Sequence, residues 1–89
     1  MHVSDIVRSV NGRDRGRYFL VIAEEEPFVF LSDGRTRRVE RPKKKKRKHV
    51  EFVTHCELEI GEKPPANSEV RKALAACIPI DSSSSKGGI

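Results

Sequence analysis

The stretch that decides the fold is residues 17–24, which read Arg17-Tyr18-Phe19-Leu20-Val21-Ile22-Ala23-Glu24. Aromatic and branched side chains dominate it, and these residue types suit the pleated surface of a β-strand. A loop with two glycines, Asn11–Gly16, precedes it, and an acidic run ending at Pro27 follows it. Both are turn signals, so the stretch is bounded on each side. Its apolar part, Phe19–Ala23, is far shorter than the ~20 residues that span a bilayer.

Signals of the same kind mark further strands on both sides of this one. Four are predicted, at Asp5–Val10, Phe28–Leu31, Arg35–Val39 and Val50–Val53. Ser32-Asp33-Gly34 forms a tight turn from which Arg35–Val39 returns antiparallel, and Pro42 ends that strand. Five short strands separated by turns favour a small, strongly bent barrel, because closure removes exposed sheet edges. Residues 1–54 are therefore predicted to form one all-β domain.

The remainder of the chain has a different character. Residues 55–66 form a predicted linker containing Pro64-Pro65, and within it residues 56–60 fit a short strand or a helical turn equally well. A short α-helix is predicted over residues 67–79, capped by Asn67 or Ser68 and stopped by Pro79. Its apolar stripe must dock on the barrel or on a partner protein, because so short a helix is marginal alone in water. The stripe consists of Val70, Leu74, Cys77 and Ile78. The serine-rich tail, residues 80–89, is predicted to be disordered.

Charge is concentrated in one segment, the basic arm, residues 35–48. Ten Lys or Arg side chains against one acid, Glu40, give the arm a charge of +9, while residues 1–34 and 50–89 carry −2 each. The whole chain is +5. Basicity gathered in this way is typical of a surface that binds a polyanion.

The lysines of the arm suit phosphate rather than bases. Ammonium groups such as those of Lys43–Lys46 act as point charges that contact phosphate without reading sequence. Mutual repulsion predicts that these four adjacent side chains are not rigid before binding. An alternative is that the arm is a solvated loop that only aids solubility.

The loop Gly12–Arg17 is the second basic feature. Its glycines permit positive φ and a close approach of the backbone to a partner. Arg13, Arg15 and Arg17 present planar guanidinium groups suited to phosphate oxygens or to stacking on bases. Asp14 is expected to order the loop, through a local Asx turn or by pairing an arginine. The alternative is a plain hairpin turn with solvated arginines.

These residues resemble a known family. A strand, then Gly12-Arg13-Asp14-Arg15-Gly16-Arg17, then Tyr18-Phe19-Leu20-Val21-Ile22 is similar to the KOW motif of ribosomal proteins and NusG-type elongation factors. Gly16 matches the glycine that defines the motif, Val21 matches its apolar position, and Arg17 replaces the usual lysine. Val29–Gly34 and Pro42–His49 resemble a group of small bacterial KOW-domain RNA-binding proteins, itself similar to a ribosomal protein class of archaea and eukaryotes.

The resemblance implies a small SH3-like five-stranded barrel of the KOW type that binds RNA, ribosomal RNA above all, with the motif loop at the contact surface. Together with the arm it defines the predicted RNA-binding residues: Arg13, Arg15, Gly16, Arg17, Tyr18, Arg35, Arg37, Arg38, Arg41, Lys43, Lys44, Lys45, Lys46, Arg47 and Lys48. If Phe19 and Val21 face inward, Tyr18 and Leu20 face outward, and Tyr18 either packs or stacks on a base. The four phenylalanines are expected to pack.

Other chemistries find little support in the sequence. Cys56 and Cys77 are too few for a disulfide scaffold and are expected to be reduced apolar fillers. The histidines and cysteines lack the spacing of a zinc site. There is no catalytic constellation and no phosphate-cradling P-loop, so we expect a binding protein without a cofactor or metal, and not an enzyme.

Three other functions are compatible with parts of the sequence. KOW barrels in elongation factors also contact polymerase, so the chain could be a protein-interaction module that docks through the helix stripe. Pro42–Lys48 would pass as a nuclear localisation signal in a eukaryotic chain, but the resemblance indicates bacteria. Binding of acidic lipid lacks an amphipathic or acylated anchor. The N-terminus has no signal-peptide pattern, so a cytoplasmic location is expected.

Overall fold

The computed structural model describes residues 2–56 and 65–77. Five strands and one helix follow one another along the chain: β1 Asp5–Ser9, β2 Tyr18–Glu25, β3 Phe28–Ser32, β4 Lys43–Lys46, β5 Val50–His55 and α1 Asn67–Cys77. A short 3₁₀ helix, Arg47–His49, joins β4 to β5. The strands form one antiparallel sheet in the order β4-β3-β2-β1-β5. The prediction of a mostly β fold with a short C-terminal helix is confirmed.

The fourth strand was wrongly predicted. We expected residues 35–39 to return antiparallel to β3, but β3 instead pairs with the lysine run, with Leu31 opposite Lys43 and Phe28 opposite Lys46. The backbone N–H groups of Arg35 and Arg37 donate to the Asp33 carboxylate instead of to a strand. The backbone of the four lysines is therefore part of the sheet. The prediction that their side chains are not rigid before binding stays a prediction.

Alternation along the strands buries both faces of the sheet. Ile6 and Leu20 belong to a helix-side cluster, whose other buried members are Cys56, Val70, Ala73 and Leu74. The opposite cluster lies on the other face and contains Val7, Phe19, Val21, Val29, Leu31 and Val50. Phe19 and Val21 thus share one face, as predicted. Leu20, on the other face, is buried beneath the helix rather than turned to solvent.

Helix α1 docks on its own sheet. Val70 is fully buried and Leu74 is 9% exposed, and both pack in the helix-side cluster with Ile6 and Leu20. Cys77 is half-buried against the same cluster. Of the two predicted docking sites for the stripe, its own sheet and a partner protein, the structure therefore shows the sheet. Since Val70 and Leu74 are occupied there, the predicted protein contact through this stripe is corrected, and Ile78 lies outside the described residues.

The start of the helix differs from the prediction. Asn67 is the first helical residue, and its side chain is hydrogen-bonded to Val39 and Glu40 instead of capping the helix. The carbonyl of Ala66 accepts from the N–H groups of Glu69 and Val70, while the Glu69 carboxylate accepts from the Ala66 N–H. The predicted tail, and most of the predicted linker with its open question at residues 56–60, lie outside the described residues.

Candidate functional site

The loop between β1 and β2 is a compact turn that depends on two glycines. Gly12 and Gly16 have φ values of +84° and +87°, a region that favours glycine. The Gly16 N–H donates to the carbonyl of Ser9, and the Ser9 N–H donates to the carbonyl of Arg17. Space is not the constraint at Gly16, because a Cβ there would meet nothing within 4 Å. The conformation of the loop is what requires glycine.

Asp14 anchors this loop to strand β4 through a buried ion pair. Its Oδ1 accepts hydrogen bonds from Lys45 Nζ at 2.8 Å and from Ser9 Oγ at 2.7 Å. Lys45 Nζ also donates to the carbonyl of Asn11 at 2.8 Å, and Lys43 Nζ lies 3.6 Å from Asp14 Oδ2. Both partners of the main pair are less than a tenth exposed. Asp14 orders the loop as expected, but through lysines and a serine rather than an arginine.

The ionisation of Asp14 is tuned by this environment. Burial is the largest single influence and raises the pKa, but the hydrogen bonds from Lys45 and Ser9 and the charges of Lys45 and Lys43 together outweigh it. The pKa of Asp14 is therefore lowered to about 2. The carboxylate stays ionised near neutral pH, as the buried ammonium of Lys45 requires.

A second loop, residues 33–41, carries four of the five arginines of the basic arm. Asp33 Oδ1 accepts from the N–H groups of Arg35 and Arg37, each at 2.8 Å. The carbonyl of Arg37 in turn accepts from Ser32 Oγ at 2.7 Å and from the N–H of Asp33 at 3.0 Å. A side chain at the end of β3 thus folds the loop back on itself, in the manner of an Asx turn.

Helix α1 holds the same loop from the other side. Asn67 Oδ1 accepts from the Val39 N–H at 2.8 Å, and Asn67 Nδ2 donates to the Glu40 carboxylate, which lowers the pKa of Glu40. Arg71 Nη1 donates to the carbonyl of Gly34 at 2.7 Å. A Cβ at Gly34 would lie 2.5 Å from the Asn67 carbonyl oxygen, so the helix approaches this turn too closely for any side chain.

The two loops meet at one cavity, which we call the basic cavity. Its volume is about 200 Å³, and its lining residues are Arg13, Asp14, Arg17, Phe19, Thr36, Arg37 and Lys43. Four of these are cations, drawn from the Gly12–Arg17 loop, from the 33–41 loop and from β4. Side chains 30 residues apart in the sequence, such as Arg13 and Lys43, are brought together here.

The cations of the basic cavity differ in how far they are neutralised. Arg17 Nη2 lies 3.5 Å from Asp33 Oδ2 and 3.3 Å from Thr36 Oγ1, with its side chain half exposed. Lys43 shares Asp14 with Lys45. Across residues 2–56 and 65–77, no acid pairs with the guanidinium groups of Arg13 or Arg37. Of the four cations that line the basic cavity, these two therefore keep a charge that no described acid neutralises.

Other predicted contact residues lie outside the basic cavity. Arg15 lines a separate depression with Arg8, Ser9 and Val10. Tyr18 is half-buried and packs against the helix-side cluster, so packing accounts for much of its ring. The remaining arginines of the second loop, Arg35, Arg38 and Arg41, are exposed, and Arg38 Nε lies 3.6 Å from a Glu40 oxygen.

The basic run divides along β4. Lys44 and Lys46 point to the face opposite Lys43 and Lys45, and Lys44 Nζ lies 4.4 Å from the centre of the Phe28 ring. Beyond them, Arg47 forms ion pairs with Glu24 and Glu26. Lys46, Arg47 and Lys48 line a different cavity of about 400 Å³ with Glu26 and Pro27. The arm is therefore not one continuous basic surface.

The role predicted for Lys45 is corrected by this geometry. It was predicted to bind RNA directly, but its ammonium group is buried and shared between Asp14 and Asn11. Its cross-strand partner Val29 belongs to the opposite cluster, so the Lys45 stem lies on that apolar face of the sheet. Lys45 positions the Gly12–Arg17 loop and does not offer a charge to a ligand.

The contacts of three residues differ from what the sequence indicated. Asn67 was read as a helix cap, and no local signal marks it as the residue that holds Val39. Lys45 is one of four identical neighbours, so nothing distinguishes it before the fold is known. Phe52 was expected to pack but is 56% exposed on the edge strand β5, where it offers an aromatic face to solvent.

The described part of the chain holds neither a metal-binding cluster nor a membrane-spanning helix. No group of three or more His, Cys, Asp or Glu side chains within it is arranged to hold a metal ion. None of its helices is long and apolar enough to cross a membrane.

No protein-family model matches this chain, and no curated protein matches its sequence.

Proposed function

We propose that this chain is an RNA-binding protein, not an enzyme, and that the basic cavity seats a phosphate of a structured RNA. The observation that carries the proposal is the convergence of Arg13, Arg17, Arg37 and Lys43 on one cavity from three separate segments. Guanidinium groups bind phosphate oxygens through paired hydrogen bonds, and two of these groups have no acid partner among the described residues.

The arginines around the cavity extend this surface. Arg35, Arg38 and Arg41 are exposed on the second loop, and Arg15 lies beside the first. Successive phosphates along an RNA strand would contact these groups, which carry no sequence information of their own. Selectivity would then come from the shape of a folded RNA. The ribosomal RNA implied by the KOW resemblance is the first candidate, and it makes the cytoplasm the proposed location.

The fold is proposed to be an SH3-like barrel of the KOW type. The pairing register shifts between Ile6 and Val7 in β1 and between Val21 and Ala23 in β2. Such irregularities bend a strand and increase its twist, as barrel closure requires. The opposite cluster, formed by β1, β2, β3 and β5, would be the barrel interior.

The test compares two double variants of equal charge. The cavity variant, Arg13→Gln with Arg37→Gln, removes the two unpaired cations of the basic cavity. The control variant, Lys46→Gln with Lys48→Gln, removes two exposed cations at the far end of the basic arm. Affinity for a structured ribosomal RNA fragment is measured over a range of salt concentrations. We expect the cavity variant to lose at least about 10-fold in affinity and ~1.5 units of salt slope. Equal losses in the two variants would show that only net charge matters.

Association with the ribosome is tested separately. Cell lysate is sedimented through a sucrose gradient at low and high salt, with and without ribonuclease. Migration with large subunits that is lost at high salt in the cavity variant would support a ribosomal target. Migration that survives ribonuclease would indicate a protein partner instead.

A further inference from the structure

Two thiols that the proposed RNA site does not use meet where β5 and α1 end. Cys56 Sγ lies 2.9 Å from Cys77 Sγ, and no disulfide joins them. This separation exceeds an S–S bond of about 2.05 Å by less than ~1 Å. Cys56 and Cys77 are the only cysteines in the chain. Any disulfide within one molecule must therefore join these two residues.

The surroundings of the two thiols are unequal. Cys56 is 6% exposed within the helix-side cluster, and its N–H donates to the carbonyl of Ser4, which fixes it to the sheet. Cys77 is half-buried at the last residue of α1. A reagent in solution therefore reaches Cys77 first, and Cys56 is placed to attack whatever forms there.

We propose that Cys56 and Cys77 are a reversible redox pair that reacts with low-molecular-weight disulfides such as oxidised glutathione. The Cys77 thiolate attacks one sulfur of the reagent, whose S–S bond breaks to release one thiol and leave a mixed disulfide on Cys77. The Cys56 thiolate then attacks the Cys77 sulfur and releases the second thiol. Two protein thiols are oxidised, one reagent disulfide is reduced to two thiols, and the protons of Cys56 and Cys77 pass to the leaving thiolates.

The disulfide would join the end of α1 to the sheet, and α1 holds the arginine loop. Asn67 and Arg71, at the other end and in the middle of the helix, bind Val39 and Gly34. Any opening of the 33–41 loop that moves the helix is therefore opposed by the bond. The redox state of the pair controls how firmly the helix is fixed, and this conclusion does not depend on what the basic cavity binds.

The experiment equilibrates the full chain with glutathione buffers of graded redox ratio, under native conditions and in concentrated urea, followed by acid quenching and mass measurement. We expect a monomer lighter by two hydrogen atoms, formed under native conditions at a ratio about 100-fold more reducing than in urea, because the fold already holds the thiols together. Equal ratios in the two conditions, an unresolved mixed disulfide, or dimers linked by disulfides would overturn the proposal.

Two serine variants test the order of attack. Cys56→Ser should stop at a mixed disulfide on Cys77, whereas Cys77→Ser should react with glutathione much more slowly because Cys56 is buried. Equal rates in the two variants would overturn the assigned order. Hydrogen exchange provides the structural measurement, since the Val39 N–H bonded to Asn67 should exchange more slowly in the oxidised protein. Unchanged exchange would refute the link between the pair and the loop.

Discussion

The two ends of the basic run Lys43–Lys48 show how differently the same residue types are used. Towards the Gly12–Arg17 loop, Lys45 is buried against Asp14, and Lys43 lines the basic cavity with Arg13 and Arg37. Towards the turn between β2 and β3, Arg47 is paired with Glu24 and Glu26. At the first end, a distant acid, Asp14, neutralises Lys45 in a buried pair that holds the structure together. At the second end, Glu24 and Glu26 neutralise Arg47 at the surface. A count of charges along the sequence overstates the charge that a ligand meets.

The largest effect should come from removing the acid at the first end. Asp14→Ala leaves the Lys45 ammonium buried without its partner, and we expect a loss on the order of 3 kcal/mol in the free energy of unfolding. Glu26→Ala is the matched control, because its pair with Arg47 is solvent-exposed and should contribute less than about 1 kcal/mol. Urea unfolding measures both.

A double variant sharpens this test. Adding Lys45→Met to Asp14→Ala removes the stranded charge and should recover part of the lost stability, since no charge is then left buried without a partner. If Asp14→Ala and Glu26→Ala proved equally mild, the distinction between the two ends of the run would be wrong.

The next largest effect concerns two glycines, Gly34 and Gly16, in the loops that form the basic cavity. Their replacement by alanine should lower the stability by different amounts. Gly34→Ala places a Cβ 2.5 Å from the Asn67 carbonyl at a φ of +73°, so helix and loop must separate. Gly16→Ala meets no atom within 4 Å and should cost only the ~1–2 kcal/mol of a left-handed conformation. We expect Gly34→Ala to cost about twice as much in thermal or urea unfolding. A larger loss for Gly16→Ala would contradict the close approach of the helix.

The pH dependence of the free energy of unfolding tests how much the Asp14 carboxylate contributes to stability. Because folding lowers its pKa from 3.8 to about 2, its contribution is fully present above the unfolded-state value and is lost as pH falls towards 2. The contribution is at most about 2 kcal/mol. The difference in unfolding free energy between wild type and Asp14→Asn should therefore shrink as pH decreases through this range. A difference that stays constant would show that the carboxylate charge is not what holds the loop.

The smallest expected effect comes from removing the acids that pair with Arg47, at the end of the basic run near the turn between β2 and β3. Glu24→Gln with Glu26→Gln releases Arg47 from its ion pairs and should raise RNA affinity by roughly threefold, mainly through a steeper salt dependence. Glu25→Gln with Glu69→Gln changes the net charge equally and leaves Arg47 paired, since a glutamine at position 69 can still accept from the Ala66 N–H. If both variants gained equally, the neutralisation of Arg47 would have no specific importance for binding.

Much of the fold is encoded locally, in stretches that can be read without the structure. The aromatic and branched residues of β2, the turn residues around it and the alternation of Phe19 and Val21 with Leu20 all act over a few positions. The stripe of Val70 and Leu74 likewise predicted a helix that buries one face. The basic character of both loops was evident from composition alone. That the loops bind RNA stays a proposal.

Only the tertiary structure decided the fourth strand and the fate of each basic side chain. Residues 35–39 could pair as a strand in isolation, but Asp33 and Asn67 take their N–H groups, and Lys43–Lys46 takes the place beside β3. The sequence determines which side chains carry charge and which stretches prefer strand or helix, because both depend on residues a few positions apart. Whether a charge is buried, paired or offered to a ligand depends on acids far away in the sequence. Asp14 is 31 residues from Lys45 and Glu24 is 23 residues from Arg47, and these residues come close only once the sheet has formed.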